Sequence, residues 1–415
     1  MFANVTNESA DGAKPGYDAR FREESKTVLE HPYRSGVPDF YAANGLKGLS
    51  RSERRVLGTV VRSGEIGQPR LAKATGLAQQ SISRIVKGLV SINALAEGGK
   101  VLSGRRGQPG QSVRITPDFA YTFGVSMMTD AISVALIDFS VTILDEEKHD
   151  LPAMTRNAVL DTVERIVDGM IQKHNIPLER VFGMGVSISG RYIGPKAVYN
   201  TPRPLDDWAL IAIDRLFEDR FDMPVWVEND GNAAAVGESL VGVGREYDNF
   251  AYLYIDTLLG GGIVMNHELM RGTNGNGGEI GLLLPKNIYQ HPSLESLRQT
   301  LGEYNVEFPG VSEMLREFDA EWPGIDEWIT KTRSSFSLIC SALAAILDPE
   351  AIVFGGRMPQ PLARRVIPYI NMYNDSRRGK PRALPQLLVS KAGGNASAIG
   401  AAALPLKEHF FAAAV

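Results

Sequence analysis

The chain has 415 residues, 44% hydrophobic and 22% charged, the balance of an ordinary soluble globular protein and longer than one hydrophobic core usually reaches, so two or three domains are expected. A lone cysteine, Cys340, excludes an internal disulfide framework, and its apolar setting, FSLICSALAAIL, reads as a core thiol rather than a nucleophile. The net charge of -4 is split unevenly: residues 47–114 hold 13 Lys and Arg against 3 Asp and Glu, so that segment carries +10 and the remainder -14. Such asymmetry points to a nucleic-acid-binding module on an acidic body.

Residues 1–45 are polar and turn-rich and read as a flexible arm without a motif. Their start lacks the basic-then-apolar order of a secretory signal, and no apolar run approaches the roughly 20 residues that span a bilayer, so a cytoplasmic location without membrane partners is expected. Helical spacing then predicts helices over 51–62, 68–75 and 79–90, the last two joined by Gly76, Leu77 and Ala78. A leading Gly accepts the positive φ that ends a helix and lets the next cross it steeply. Leu71, Ala72, Leu77, Ile82 and Ile85 face inward at that crossing. Gln79, Gln80, Ser81, Ser83, Arg84 and Lys87 face outward, a hydrogen-bonding and cationic surface suited to the major groove. Two strand-like segments, LAEGGKV and SVRIT, flank LSGRRGQPGQ, giving a wing with Arg105 and Arg106 at its tip. Residues 46–116 therefore read as a winged helix-turn-helix DNA-binding domain. The competing reading is a small helical interaction domain with a solvated basic loop.

From Tyr121 onward strands and helices alternate. YTFGVSM, AISVALIDF and VTILDEE read as three strands, NAVLDTVERIVDGMIQKH as an amphipathic helix, and VFGMGVSIS as a buried strand entering a loop. A helix is predicted over 208–221. The strand MPVWVEND then gives way to an Ala-rich helix. AYLYID and GGGIVMN form a hairpin-like pair, and helical segments fill 293–347. AIVFGGRM and QLLVSKAG precede a helix of small residues. Residues 117–415 are expected to form two α/β lobes sharing a cleft.

In WVENDGNAAAVGE, polar side chains crowd the carboxyl end of a buried strand, where open α/β sheets bind ligands. Asp230 there is either a general base or a hydrogen-bond acceptor for a hydroxyl. Glu228 and Asp230 can also serve as caps of the following helix.

The stretches ENDGNAAAVGE, RGTNGNGGEIG and IVFGGRM, behind a winged helix-turn-helix, resemble the ROK family, which groups sugar kinases with sugar-responsive transcriptional repressors. The resemblance implies a two-lobed actin-like ATPase (ribonuclease H-like) fold with sugar between the lobes. It implies that Asn229, Asp230 and Glu279 hydrogen-bond sugar hydroxyls, that Asp230 matches the kinases' catalytic base, and that Gly190 lies in the loop beneath the sugar, where Ser189 replaces the family's Pro. Three departures follow. The first phosphate loop reads GVSMMTD, with Ser126 for a magnesium-binding Asp and Met128 and Thr129 for glycines. The second reads DTLLGGG, where Asp256 and Leu258 add repulsion and bulk against phosphates. The zinc segment has Leu282 for its His and no cysteine, Ser293 standing at the last thiolate position, so neither metal nor cofactor is expected. Two readings follow from Leu282 beside Glu279: a pocket that favours a deoxy or methylated sugar, or one that is weak or abandoned.

The expected function is a sugar-responsive transcriptional regulator, a repressor, binding double-stranded operator DNA as a homodimer or homotetramer and without enzymatic turnover. The alternatives are an active ATP-dependent carbohydrate kinase with a regulatory DNA-binding head, and a DNA-binding scaffold with no small ligand.

Overall fold

The computed structural model describes residues 40–101, 110–194, 197–285, 287–374 and 378–411. It begins with one helical turn, α1 (Phe40–Ala43), whose Phe40 is buried edge-on against Phe119, Phe182 and Phe410. The end of the stretch read as a flexible arm is thus packed, because its aromatic residue has a cluster of rings to join.

Ser50 and Glu53 close a capping box, each side chain accepting from the other's backbone N–H, and α2 (Arg51–Ser63) starts there. A three-residue strand, β1 (Glu65–Gly67), follows; it is too short to leave a period in the sequence. Next come α3 (Gln68–Thr75) and α4 (Gln79–Ser91), separated by Gly76 at φ 67°, the left-handed conformation that turn requires. Leu71, Ile82 and Ile85 are buried at the crossing, with Ala72 and Leu77 partly buried beside them. β2 (Leu95–Val101) and β3 (Gly110–Ile115) pair antiparallel, and β1 adds to the other edge of β3. This arrangement fits a winged helix-turn-helix head. Arg105 and Arg106 lie outside the described residues.

The body contains one topology twice. β4 (Tyr121–Met127), β5 (Ala131–Asp138) and β6 (Ile143–Asp150) form an antiparallel meander. After α5 (Arg156–His174), β7 (Val181–Ile188) returns parallel to β4. The loop beyond it holds a small hairpin, β8 (Arg191–Gly194) and β9 (Val198–Asn200). Then α6 (Ile213–Phe221) leads to β10 (Val225–Asn229), parallel to β7, for a sheet order of β10-β7-β4-β5-β6. After α7 (Asp230–Val241), the second meander is β11 (Phe250–Ile255), β12 (Leu259–Met265) and β13 (Glu268–Leu269). Helices α8 (Leu294–Gly302), α9 (Val311–Arg316) and α10 (Ile325–Leu347) precede β14 (Ala351–Gly356), and α11 (Gln360–Val366) separates it from β15 (Gln386–Val389). That sheet runs β13-β12-β11-β14-β15. The chain closes on α12 (Ala396–His409).

Small residues determine how the layers meet. A Cβ at Gly124 or Gly185 would strike the α12 backbone at Ala398 or Ala401, and one at Gly400 would strike Ala233 of α7. Only a helix as slender as SAIGAAAL fits between the sheet and α7. The helix predicted over 208–221 begins instead at Ile213: Leu210 takes φ 61°, and the buried Trp208 is held by its Nε1–H donating to the Met154 carbonyl at 2.7 Å. Among the described residues no helix is long and apolar enough to cross a membrane.

Candidate functional site

β10 stops because Asn229 turns its side chain back onto the chain. Its Oδ1 accepts from the backbone N–H of Gly231 (2.9 Å) and Asn232 (3.3 Å), making Asn229, rather than Glu228 or Asp230, the cap of α7. Its Nδ2 donates to the Gly190 carbonyl at 2.9 Å, tying strand end to loop. Gly190 has φ 147°, and a Cβ there would press on Asn200 and Thr201, so the loop approaches as closely as it does only with glycine.

The next residue, Asp230, is 7% exposed. Oδ1 accepts from Gly231 N–H at 2.8 Å, and Oδ2 accepts from the Ser189 hydroxyl. Burial lifts its carboxyl to about 6; the Ser189 hydrogen bond opposes that rise, while Asp256 and Glu279 add to it. Glu279, half-buried across the cleft, is also raised, by burial, with Arg191 opposing. A cavity of about 290 Å³ opens among these groups, and its walls include all four residues expected to meet a ligand, Gly190, Asn229, Asp230 and Glu279. Arg191, Asn200 and Thr257 also line it. Sequence reasoning missed these three: Arg191 and Asn200 belong to a hairpin read as irregular loop, and Thr257 was read only as part of the degenerate phosphate loop DTLLGGG. The cavity is large enough for a monosaccharide and offers acceptors, an amide and backbone groups, the mixture that hydroxyl-rich ligands require.

Two expectations about the walls are corrected. Leu282 is 71% exposed and absent from the cavity lining, because the turn after Glu279 carries it outward, so the apolar wall expected beside Glu279 is not there. Asp256 is not a bare negative charge. Its Oδ1 lies 3.2 Å from Arg357 Nη1, and the same nitrogen lies 2.7 Å from Asp130 Oδ1. Arg357 Nη2 donates to the Ser312 hydroxyl at 2.7 Å, and Ser312 N–H donates to Asp130 Oδ2 at 3.0 Å. Although burial works the other way in each case, the ion pair holds the Asp130 carboxyl below its usual range and raises Arg357. Alongside, the Thr129 and Thr257 hydroxyls meet at 3.0 Å. The turn before β5 is thereby joined to the ends of β11 and β14, across the part of the cleft where the two phosphate loops of the resemblance fall.

On α4, Gln79, Gln80, Arg84 and Lys87 are exposed, while Ser81 and Ser83 are half-buried. His291 Nε2 lies 2.9 Å from the Leu284 carbonyl. Burial pushes the Cys340 thiol up to about 12, as befits a core residue.

Residues 122–293 match the model of the ROK family. An uncharacterized protein, y4fQ, of Sinorhizobium fredii is 28% identical over 378 residues, covering 89% of this chain and 94% of its own. The xylose repressor of Bacillus spizizenii is 27% identical over 234 residues, and the chain spans 55% of itself and about 59% of that repressor in the match. A glucokinase of Streptomyces coelicolor is 33% identical over 162 residues, 39% of this chain and 48% of the kinase. Among solved structures, a ROK family transcriptional regulator, a homolog of the Escherichia coli Mlc protein, superposes with a TM-score of 0.56 at 18% identity, covering 85% of this chain and 96% of that one; at that identity the likeness is one of fold.

Proposed function

Starting from a ROK family domain at residues 122–293, we propose that the chain is a sugar-responsive DNA-binding transcriptional regulator, a repressor. The observation that carries this reading is the α3–α4 pair, whose exposed Gln79, Gln80, Arg84 and Lys87 form a polar, cationic face ahead of that domain. α4 enters the major groove, with Gln80, Ser83 and Arg84 reading base edges; Arg105 and Arg106 reach a phosphate or the minor groove. One head offers limited contact, so the active form is a symmetric homo-oligomer reading two half-sites.

The effector is a sugar held in the cavity by Asn229, Asp230 and Glu279 above Gly190. Asp230 binds rather than turns over. Each of its oxygens already accepts a hydrogen bond from the protein, and the nucleotide half of the cleft is bridged by Arg357 between Asp130 and Asp256. A general base is useless without a bound, oriented phosphoryl donor. The likeness to a xylose repressor supports xylose or another pentose as the first candidate effector.

The test has two arms. Thermal stability measured across a panel of sugars and sugar phosphates is expected to rise with one of them, since a ligand that binds only the folded state must stabilise it. Operator binding, on sites selected from random duplexes, is then expected to weaken when that sugar is added. No duplex selected above background would overturn the regulator reading; selected DNA with no stabilising sugar would favour the ligand-independent scaffold.

A kinase reading is favoured by one observation, the Asp230 carboxyl raised to about 6 at the position that matches the kinases' base. Sugar-dependent ATP hydrolysis abolished by Asp230→Asn would establish it; the expected result is no hydrolysis in either protein.

A further inference from the structure

Beneath the cavity, the strand that carries it is wired to the seat of the head. Glu228, one residue before the Asn229 cap, accepts through Oε1 from Asn229 N–H (3.0 Å) and Asn232 Nδ2 (3.1 Å), so it moves with the first turn of α7. Its Oε2 accepts from Arg271 Nε at 2.6 Å. Arg271 opens the stretch that ends at Gly278 and Glu279 in the cavity wall, and its carbonyl accepts from Gly277 N–H at 2.7 Å. The same guanidinium donates through Nη2 to Glu408 Oε1 at 2.8 Å, in the last turn of α12. The backbone carbonyl of Glu408 accepts from Arg54 of α2, the first helix of the head. Arg54 Nε is buried with no partner among the described residues.

A second contact runs in parallel. Trp226, two residues before Glu228 and on the same face of β10, stacks on Phe182 at 5.6 Å and packs against His409 at 5.3 Å. Phe182 and Phe410 close on Phe40, in one apolar cluster that also holds Val56, Leu57 and Val60 of α2.

We propose that Arg271 couples the sugar cavity to the DNA-binding head, passing displacements of β10 and of the 271–279 stretch through Glu408 to α2. This rests on the regulator reading above for its biological use, but the coupling is a property of the fold. A ligand drawn between Asn229 and Asp230 on one wall and Glu279 on the other shifts both anchors of Arg271. The head follows because its core is continuous with α12 rather than hung on a free linker. Coupling of this kind demands that the ligand's affinity differ between two head positions, and that DNA and ligand alter each other's affinity by the same factor.

The cleanest uncoupler is Glu408→Gln, which removes the carboxylate facing Arg271 but keeps the backbone carbonyl that seats Arg54. With D-xylose as probe, Glu408→Gln is expected to keep the xylose-induced thermal shift and the sugar-free operator affinity, while the xylose-induced loss of affinity falls from tenfold or more to under threefold. An arm without sugar or DNA uses hydrogen exchange of the α2 amides. Asn229→Ala, which uncaps α7 inside the cavity, is expected to speed their exchange several-fold in the native background and not in the Glu408→Gln background. If Asn229→Ala does not fold, Asn229→Ser, which keeps a capping oxygen but loses the Gly190 contact, takes its place. Equal acceleration in both backgrounds, or none in the native one, overturns the proposal. A native protein that ignores both xylose and DNA would sink the regulator reading while leaving the exchange result to decide the coupling.

Discussion

Burial is the largest influence on Asp230, and it fixes the sign of a pH effect. Its carboxyl titrates near 3.8 when unfolded and near 6 in the folded protein, so between those values the folded state holds more protons. Stability is therefore fully present below about pH 4 and lost as pH rises through 6. Asp230→Asn removes the buried charge, and the variant is expected to be more stable than the native protein at pH 7.5, by on the order of 2–3 kcal/mol. The gap should close by about pH 4, as read in urea unfolding at the two pH values. Under the proposed function, sugar binding runs the other way, because a ligand hydroxyl would donate to the ionised acceptor. Affinity measured by calorimetry is expected to fall below pH 6 in the native protein, and to fall about tenfold or more at pH 7.5 in Asp230→Asn.

Among the elements, α4 carries the most direct prediction. Arg84→Ala is expected to relax operator preference at one base position at a cost of about 1–3 kcal/mol, measured by binding to a mutated operator series. Arg105→Ala and Arg106→Ala should instead weaken binding to all sequences and lower the slope of log affinity against log salt by about 1 each. The head helices could be read from sequence because their signals are local: Gly76 and a 3.6-residue apolar period over one short span. The strands of both sheets were legible for the same reason, except the two-residue β13, which is too short to leave a period. The helix before β10 was misread because WALIAIDRLF is apolar enough to continue a helix. What stops it is the Trp208 bond to Met154, 54 residues away. The same limit divides the site. Asn229 and Asp230 stand at the end of β10, where residue type and position point to a ligand, whereas Gly190 and Glu279 were reached only through the family resemblance. Arg271 and Arg357 were printed in those motifs too, but their partners lie 43 to 227 residues away. No local pattern announces such pairs.

At the scale of the whole molecule, the two repeated sheets meet over α7 and α12 and are bridged on one side of the cleft by Arg357. Arg357 is 7% exposed and Asp256 4%, so neither charge has water to fall back on. The pair itself stabilises little relative to apolar packing, but removing one partner strands the other. Arg357→Met is thus expected to lower stability by about 3–5 kcal/mol in urea unfolding. Arg357→Lys, which keeps the charge but loses the forked geometry that reaches Asp130, Asp256 and Ser312 together, should cost about 1–2 kcal/mol. Adding Asp256→Asn to Arg357→Met should recover part of the loss, because the orphaned carboxylate goes with it. The spatial consequence follows from where the partners sit: Asp130 precedes β5, whereas Arg357 follows β14. Without the guanidinium this side of the cleft loses its clasp, and backbone exchange at Asp256 and Thr257 should rise several-fold while that of β7 stays fixed. A loss of under 0.5 kcal/mol with unchanged exchange would mean the bridge is incidental, and it would no longer support the binding-only reading of Asp230.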